Sequence, residues 1–363
     1  MLDLRNSYYD SVHVYEGISD DQKKQREAVY WGLGDNWWKQ IIDRDCHKYG
    51  PEVFDKGLHK REVEPGFLQG IRKASEIAAK FLGRETSVAV YKEIHWVACV
   101  HFVNSSLGRI QVDDLGRFWK WISLHSYFDL LYHDWDLGYG LTLVRPYRYA
   151  NEYAQVGFKN EERRFPGITE ASTNKELIEK MKPWVKIRLE EWEKQVSVLT
   201  SEIDALAKEL GFEDPLVLIE WEDKEKDCII LKYPRLSKEK SEKAVTYLFD
   251  RFNQKARDIQ NELKSNLENA NPEELPAIRT QYETDIRQTI AKLYQHLEWV
   301  HPFVDGQGRT DLILLAKLLT DYGLNPAILE RPYDSSILPF AKWDEKLAFG
   351  LKIWNLEKIK IKP

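Results

Sequence analysis

The chain has 363 residues, 43% of them hydrophobic, and a formal net charge of −6 at pH 7. That length allows two domains and a sizeable core, while the acidic balance, with no cluster of Lys and Arg interleaved with aromatics, excludes nucleic acid as a main partner. No run of eighteen apolar residues occurs, which excludes a conventional membrane span, and the polar start Met1-Leu2-Asp3-Leu4-Arg5-Asn6 carries no sign of a signal peptide. Cys46, Cys99 and Cys228 are odd in number, widely spaced and in no zinc pattern, so they read as reduced thiols in a cytoplasmic setting.

In chain order, Ser19 is placed to cap a helix over 20–44. Residues 65–83 carry a second helical pattern that stops at Gly83. Tyr91 to Val103 is a continuous apolar-aromatic run that suits a strand or a buried helix, and periodicity does not choose between them. Residues 114–133 read as helical again. From Arg145 to Pro166, two prolines, several tyrosines and the charge run Lys159 to Arg164 read as a loop, which puts a domain boundary near residue 170. Trp31, Trp37, Trp38, Trp96, Trp119, Trp121 and Trp135 give the first half most of the 13 tryptophans. They are read as core and inter-helix packing, with an aromatic docking surface as the alternative. The expected organisation is a Trp-rich, mostly helical domain over 1–170, with a target-recognition role open to it, and a second domain over 171–363.

In the second half, Pro183 suits the first turn of a long helix. Val185, Leu189, Trp192, Val196, Leu199, Ile203, Leu206 and Leu210 then recur at steps of four and three, closing at Gly211. Leu216 to Trp221 and Asp227 to Tyr233 are short β-prone runs around the charged tip Glu222 to Lys226, a β-hairpin pattern. Residues 238–268 form a polar helix carrying Val245, Leu248, Phe249 and Phe252. Ile286, Ile290, Leu293, Leu297 and Val300 mark one face of the next helix. Leu312, Leu315, Leu319 and Tyr322 mark another, stopped by Gly323.

Between those last two helices lies His301-Pro302-Phe303-Val304-Asp305-Gly306-Gln307-Gly308-Arg309. A helix opening after a glycine-containing loop offers free N–H groups and a positive dipole end to a phosphate. His301 can take a proton, Asp305 can hold Mg²⁺, and Arg309 can pair with a second phosphate. Phe303 is expected in the core, anchoring the loop. The plainer reading of His301 is a helix C-cap, and His95, His101 and His296 read as structural. His125, His133, Asp134 and Asp136 match no metal-ligand spacing.

The loop resembles the active-site motif of Fic-domain proteins, H-P-F-x-(D/E)-G-N-(G/K)-R-x-x-R. His301, Pro302, Phe303, Asp305, Gly306, Gly308 and Arg309 match it, whereas Gln307 stands for Asn and Leu312 for the second arginine. The resemblance implies a mainly α-helical Fic-type bundle with a β-hairpin flap. It implies transfer of AMP from ATP to a protein hydroxyl, with His301 as general base and Mg²⁺ on Asp305. Gly306, Gln307, Gly308 and Arg309 would hold the nucleotide phosphates. Cys228, Ile229, Ile230 and Leu231 of the flap would lay a protein target across the site by strand addition; an ordinary surface hairpin is the other reading. The implied partners are a nucleotide and a protein substrate, in the cytoplasm or, for a secreted bacterial effector, in a host cytosol.

The departures widen the range of reactions. Leu312 removes a γ-phosphate contact, and some members lacking that arginine transfer phosphocholine from CDP-choline, so UMP or phosphocholine transfer is the runner-up. Gln307 is one methylene longer than Asn and would shift an amide by over ~1 Å. A catalytically degenerate scaffold that binds a partner is the competing class. Ser172 and Glu176 have the spacing of the family's inhibitory motif, but Leu177 breaks it and Leu312 removes its partner, so no such autoinhibition is expected.

Overall fold

The computed structural model of the chain describes Val14, residues 18–56, 66–109, 193–221, 229–232, Leu236, and residues 238–303, 306–332 and 334–361. Helices dominate, as the apolar periodicity leads one to expect. Helix α1 (Asp20–Tyr30) opens with a capping box: Ser19 Oγ accepts from the Gln22 N–H at 3.3 Å, and Gln22 Oε1 from the Ser19 N–H at 2.8 Å. The helix expected to reach residue 44 stops at Tyr30. Gly34, at φ 51°, turns the chain into a 3₁₀ helix, Gly34–Gln40. Gly32 lies so close to Trp354 that a Cβ would come within 2.8 Å of its ring, a contact no local pattern announces.

After the short α2 (Pro51–Asp55), α3 (Phe67–Lys80) runs between Gly66 and Gly83, both at positive φ. The ambiguous apolar run is a helix, α4 (Val88–Arg109). Tyr91, Ile94, His95, Ala98 and Cys99 form one fully buried stripe along it.

Residues 193–209 form α5, with Leu199, Ile203, Leu206 and Leu210 buried. It ends at Gly211, φ 71°, where Phe212 N–H closes back on Ala207 O at 2.9 Å. Strands β1 (Leu218–Trp221) and β2 (Ile229–Lys232) pair antiparallel, with Ile219 opposite Leu231 and Trp221 opposite Ile229.

Then follow α6 (Lys238–Asn269), α7 (Leu275–Val300), α8 (Gln307–Asp321), the short α9 (Asp334–Ile337) and α10 (Phe340–Ile361). Ile286, Ile290, Leu293, Leu297 and Val300 of α7 are all buried, as are Leu312, Leu315 and Leu319 of α8. Helix α8 ends in paired closing bonds, Leu324 N–H to Leu319 O at 2.8 Å and Gly323 N–H to Thr320 O at 3.2 Å, with Gly323 at φ 81°. Helix α7 packs on α6, α8 and α10, and α8 packs on α1, α3 and α4.

These contacts divide the chain differently from the boundary expected at 170. One compact unit joins Met1–His133, Leu236–Ser336 and Phe340–Pro363; the other comprises Asp134–Arg235 and Ile337–Pro339. Backbone groups of the first half explain the difference, because they are tied to side chains of the helices beside the loop. Lys317, fully buried, pairs with Asp321 Oδ2 at 2.5 Å and donates to Arg84 O at 3.0 Å. Asp321 Oδ1 accepts from the Gly83 N–H at 2.6 Å, and Asn253 Nδ2 donates to Thr86 O at 2.9 Å. A buried ion pair of this kind holds only when both charges are satisfied. The expected helix 114–133, the expected loop 145–166, Trp119, Trp121, Trp135, Ser172, Cys228 and Asp305 lie outside the described residues. Among the described residues, no helix is long and apolar enough to cross a membrane.

Candidate functional site

The loop begins where α7 runs out. His301 caps that helix at φ 44°, ψ 60°, with its N–H on Leu297 O at 2.8 Å. It is the only non-glycine at positive φ among the described residues. A left-handed histidine costs about 1–2 kcal/mol, so the surrounding packing must hold it there. The C-cap reading of His301 and the reactive one are therefore compatible: the backbone closes the helix while the half-buried ring stays within reach of solvent.

Phe303 anchors the loop as expected. Its fully buried ring stacks on His95, with centroids 3.6 Å apart and planes within 3°, and leans on Tyr91 at 4.9 Å. Thr310 Oγ1 gives its one proton to Gly306 O at 2.8 Å, so the His95 Nδ1 at 2.9 Å acts as the donor to that hydroxyl. His95 is thus a satisfied core residue that bolts α4 to the first turn of α8. Gly306 is the N-cap of α8 at φ 75°, and a Cβ there would collide with Cys99 Sγ. Glycine is required twice over, by conformation and by space.

Past Gly306, the first-turn N–H groups of Gln307, Gly308 and Arg309 have no carbonyl four residues back within α8. A Cβ on exposed Gly308 would meet nothing within 4 Å, so the approach to those groups is open. The Arg309 guanidinium lies over the Phe67 ring at 4.9 Å, which steadies a flexible cation beside the helix end. Amides, dipole end and arginine together suit an anion.

Gln307 does something other than what its place in the motif implies. Its side chain is only 3% exposed. Nε2 donates to Tyr91 Oη and to Asp311 Oδ2, each at 2.6 Å, and Oε1 accepts from the Phe303 N–H at 3.3 Å. The side-chain amide therefore closes the loop on itself, leaving the backbone N–H as the group Gln307 has for a phosphate. Leu312 is likewise buried, so the place of the second arginine is taken by core.

Beneath the loop, Tyr91 Oη donates to Asp311 Oδ1 at 2.5 Å, and Ser336 Oγ donates to Glu298 Oε2 at 3.4 Å. Burial pushes the Asp311 carboxyl up to about 7, against the downward pull of hydrogen bonds from Tyr91, Gln307 and Glu298. Burial, and then the facing Asp311, hold Glu298 well above the usual carboxylate range, which keeps its proton on and directed at Asp311. Both shifts are upward from the unfolded values. Their stabilising contribution is complete below about pH 4 and is lost as pH rises through about 7, where the folded state must ionise Asp311. Urea unfolding at pH 5 and pH 8 should therefore give lower stability at the higher pH, and Asp311→Asn should flatten that slope. An unchanged slope in the variant would remove Asp311 from the titration.

The fold thus gathers His301, Gly306, Gly308 and Arg309 at the junction of α7 and α8 and turns the Gln307 side chain away. Asp305 and Cys228 lie outside the described residues, and Ile229, Ile230 and Leu231 form β2. His296, read from the sequence as structural, is buried. Sequence reasoning missed Tyr91, Asp311, Glu298 and Phe67. Asp311 carried one signal, since it lies four residues after Gln307 and directly before the apolar run Leu312 to Ala316.

Residues 235–319 match the model of the Fic/DOC family, a span that takes in α6, α7, the loop and most of α8. No curated protein matches the chain. Members of the family transfer a nucleotide or another phosphate-containing group to proteins. The helix-loop-helix built around His301 and Arg309 thus lies within a Fic domain that covers residues 235–319 of the chain.

Proposed function

We propose that the protein transfers AMP from ATP to a hydroxyl of a protein target. The observation that carries this reading is the junction itself: a histidine held at the C-cap of α7 is followed, across one short loop, by an open helix N-terminus bearing Gly308 and Arg309. The target hydroxyl oxygen attacks the α-phosphorus, His301 takes the hydroxyl proton, and the bond to the β-phosphate oxygen breaks to release pyrophosphate. First-turn N–H groups hold phosphate oxygens, and Arg309 balances charge on the leaving group. Asp305 is the one carboxylate within the loop sequence and would hold Mg²⁺, whose charge neutralises the phosphates.

Transfer of UMP or phosphocholine is the second reading, and buried Leu312 favours its phosphocholine form, because a diphosphate donor has no γ-phosphate that needs a cation there. Incubation with cell or host lysate and each labelled donor separates the readings. ATP labelled at the α-phosphate should mark a protein with the wild type and not with His301→Ala. Labelling from UTP or CDP-choline alone would select the second reading. If no donor labels any protein, the domain is a binding scaffold.

The hairpin is proposed to present the target. The pairing of β1 with β2 leaves the hairpin an edge to which an extended segment can add. Ile229→Pro or Leu231→Pro removes a ladder donor and kinks that edge. Transfer to protein should then fall by on the order of tenfold or more, while nucleotide binding persists in calorimetry. Unchanged transfer by a folded proline variant would rule out the presenting role and leave the loop assignment standing.

A further inference from the structure

A cavity of about 640 Å³ lies between α6 and α7, with a floor of Leu248, Phe252, Ile259 and Leu293. Its charges are sorted along its length. The two helices run antiparallel from a tight connection at 270–274, so residues equally far from that connection stand level with each other. Arg251 and Lys255, one turn apart on α6, therefore face Lys292 and His296, one turn apart on α7, at the end away from the connection. Nearer the connection, Asp258 and Glu262 face Asp285. The Phe340 ring borders the basic end, with Lys292 Nζ 5.9 Å from its centroid.

His296 distinguishes this groove from an ordinary charged surface. It is only 6% exposed, stacks on Trp299 with centroids 5.5 Å apart, and lines the cavity. No hydrogen bond to its ring nitrogens is formed among the described residues, so the imidazole's donor and acceptor are left to the cavity it lines. Burial, followed by Lys292 and Arg251, pushes its imidazole down to about 3, so it is a neutral hydrogen-bonding group beside cations.

We propose that this groove binds a small phosphorylated molecule. Its phosphate would be held by Arg251, Lys255, Lys292 and His296, and its hydroxyl or ammonium donors would reach the carboxylates at the other end. Cations from both walls suit an anion with several acceptor oxygens, and the neutral imidazole adds a directed N–H without further charge. The apolar floor and Phe340 suit a carbon skeleton between the two ends. The site is separate in its residues from the loop: none of its lining groups belongs to 301–309.

The probes are inorganic phosphate and ribose 5-phosphate, titrated by calorimetry and by NMR of labelled histidine in the full chain. His301 and Arg309 belong to the competing anion site, so the titrations use an Arg309→Ala background. Saturable phosphate binding should persist there, move the His296 resonances, and weaken on the order of tenfold or more in a Lys255→Met, Lys292→Met variant. Both lysines are exposed, so their replacement leaves the fold intact. Ribose 5-phosphate should bind more tightly than phosphate, and Asp258→Asn should remove that advantage. Binding that disappears with Arg309→Ala, or that ignores the lysine replacements, would overturn the proposal. So would the absence of binding up to ~10 mM, where even a millimolar site is filled.

Discussion

Replacing His301 with alanine should lower group transfer by about 10²–10⁴-fold, the range for losing a positioned general base. The loss should fall on kcat, with donor affinity nearly unchanged, because phosphate binding is assigned to the first turn of α8 and Arg309. A residue at φ 44° raises the separate question of folding. His301→Asn answers it: asparagine tolerates the left-handed region yet supplies no base near neutral pH. Both variants should unfold close to the wild-type midpoint, and both should lose transfer. A rate within about threefold of wild type in either one would remove His301 from the chemistry.

Gly306→Ala should be the most damaging small change in the loop. Alanine at φ 75° carries a left-handed cost of about 1–2 kcal/mol. Its Cβ also collides with Cys99 Sγ on α4 and comes within 3.2 Å of the His95 ring. Overpacking of this kind costs about 1–3 kcal/mol, so a combined loss of about 2–5 kcal/mol is expected in urea unfolding. The two causes separate in a double variant. Cys99→Ala in the Gly306→Ala background makes room and should recover the steric share, leaving the backbone share. A loss below about 0.5 kcal/mol in the single variant would mean that the loop does not need glycine there. Since Gly306 O also receives Thr310 N–H and Oγ1, transfer should fall with stability in the single variant.

The loop was legible in the sequence because its information is local. Two apolar stripes of helical period bracket it, and both proved buried from Ile286 to Val300 and from Leu312 to Leu319. Stops written in glycine, at Gly83, Gly211 and Gly323, also held, each at positive φ. What could not be read depended on contacts between distant residues. Gly32, just past the end of α1, lies against Trp354, more than three hundred positions away. The grouping of the first-half helices with the loop in one compact unit rests on bonds of Gly83, Arg84 and Thr86 to Asp321, Lys317 and Asn253. Gln307 looked like a phosphate ligand displaced by one methylene. Its extra reach instead lets the amide span Tyr91, Asp311 and the Phe303 N–H, none of which its own neighbourhood could specify.

The same network gives the variant motif a physical rationale. With Leu312 in the core and Gln307 turned inward, the proposed recognition of a donor would rest on the α8 N-terminus and Arg309. Fewer fixed cations mean that the position of a terminal phosphate is weakly specified, while the phosphate nearest His301 remains well defined. Under the proposed mechanism, choice of donor would turn on which phosphorus is presented to that histidine.

A crystal structure with Mg²⁺ and an ATP analogue blocked between its α- and β-phosphates tests this most directly. The account predicts phosphate oxygens on the Gly308 N–H and the Arg309 guanidinium, with the α-phosphorus turned towards the His301 ring. A nucleotide bound away from the α7–α8 junction, or one presenting its terminal phosphate to His301, would contradict it.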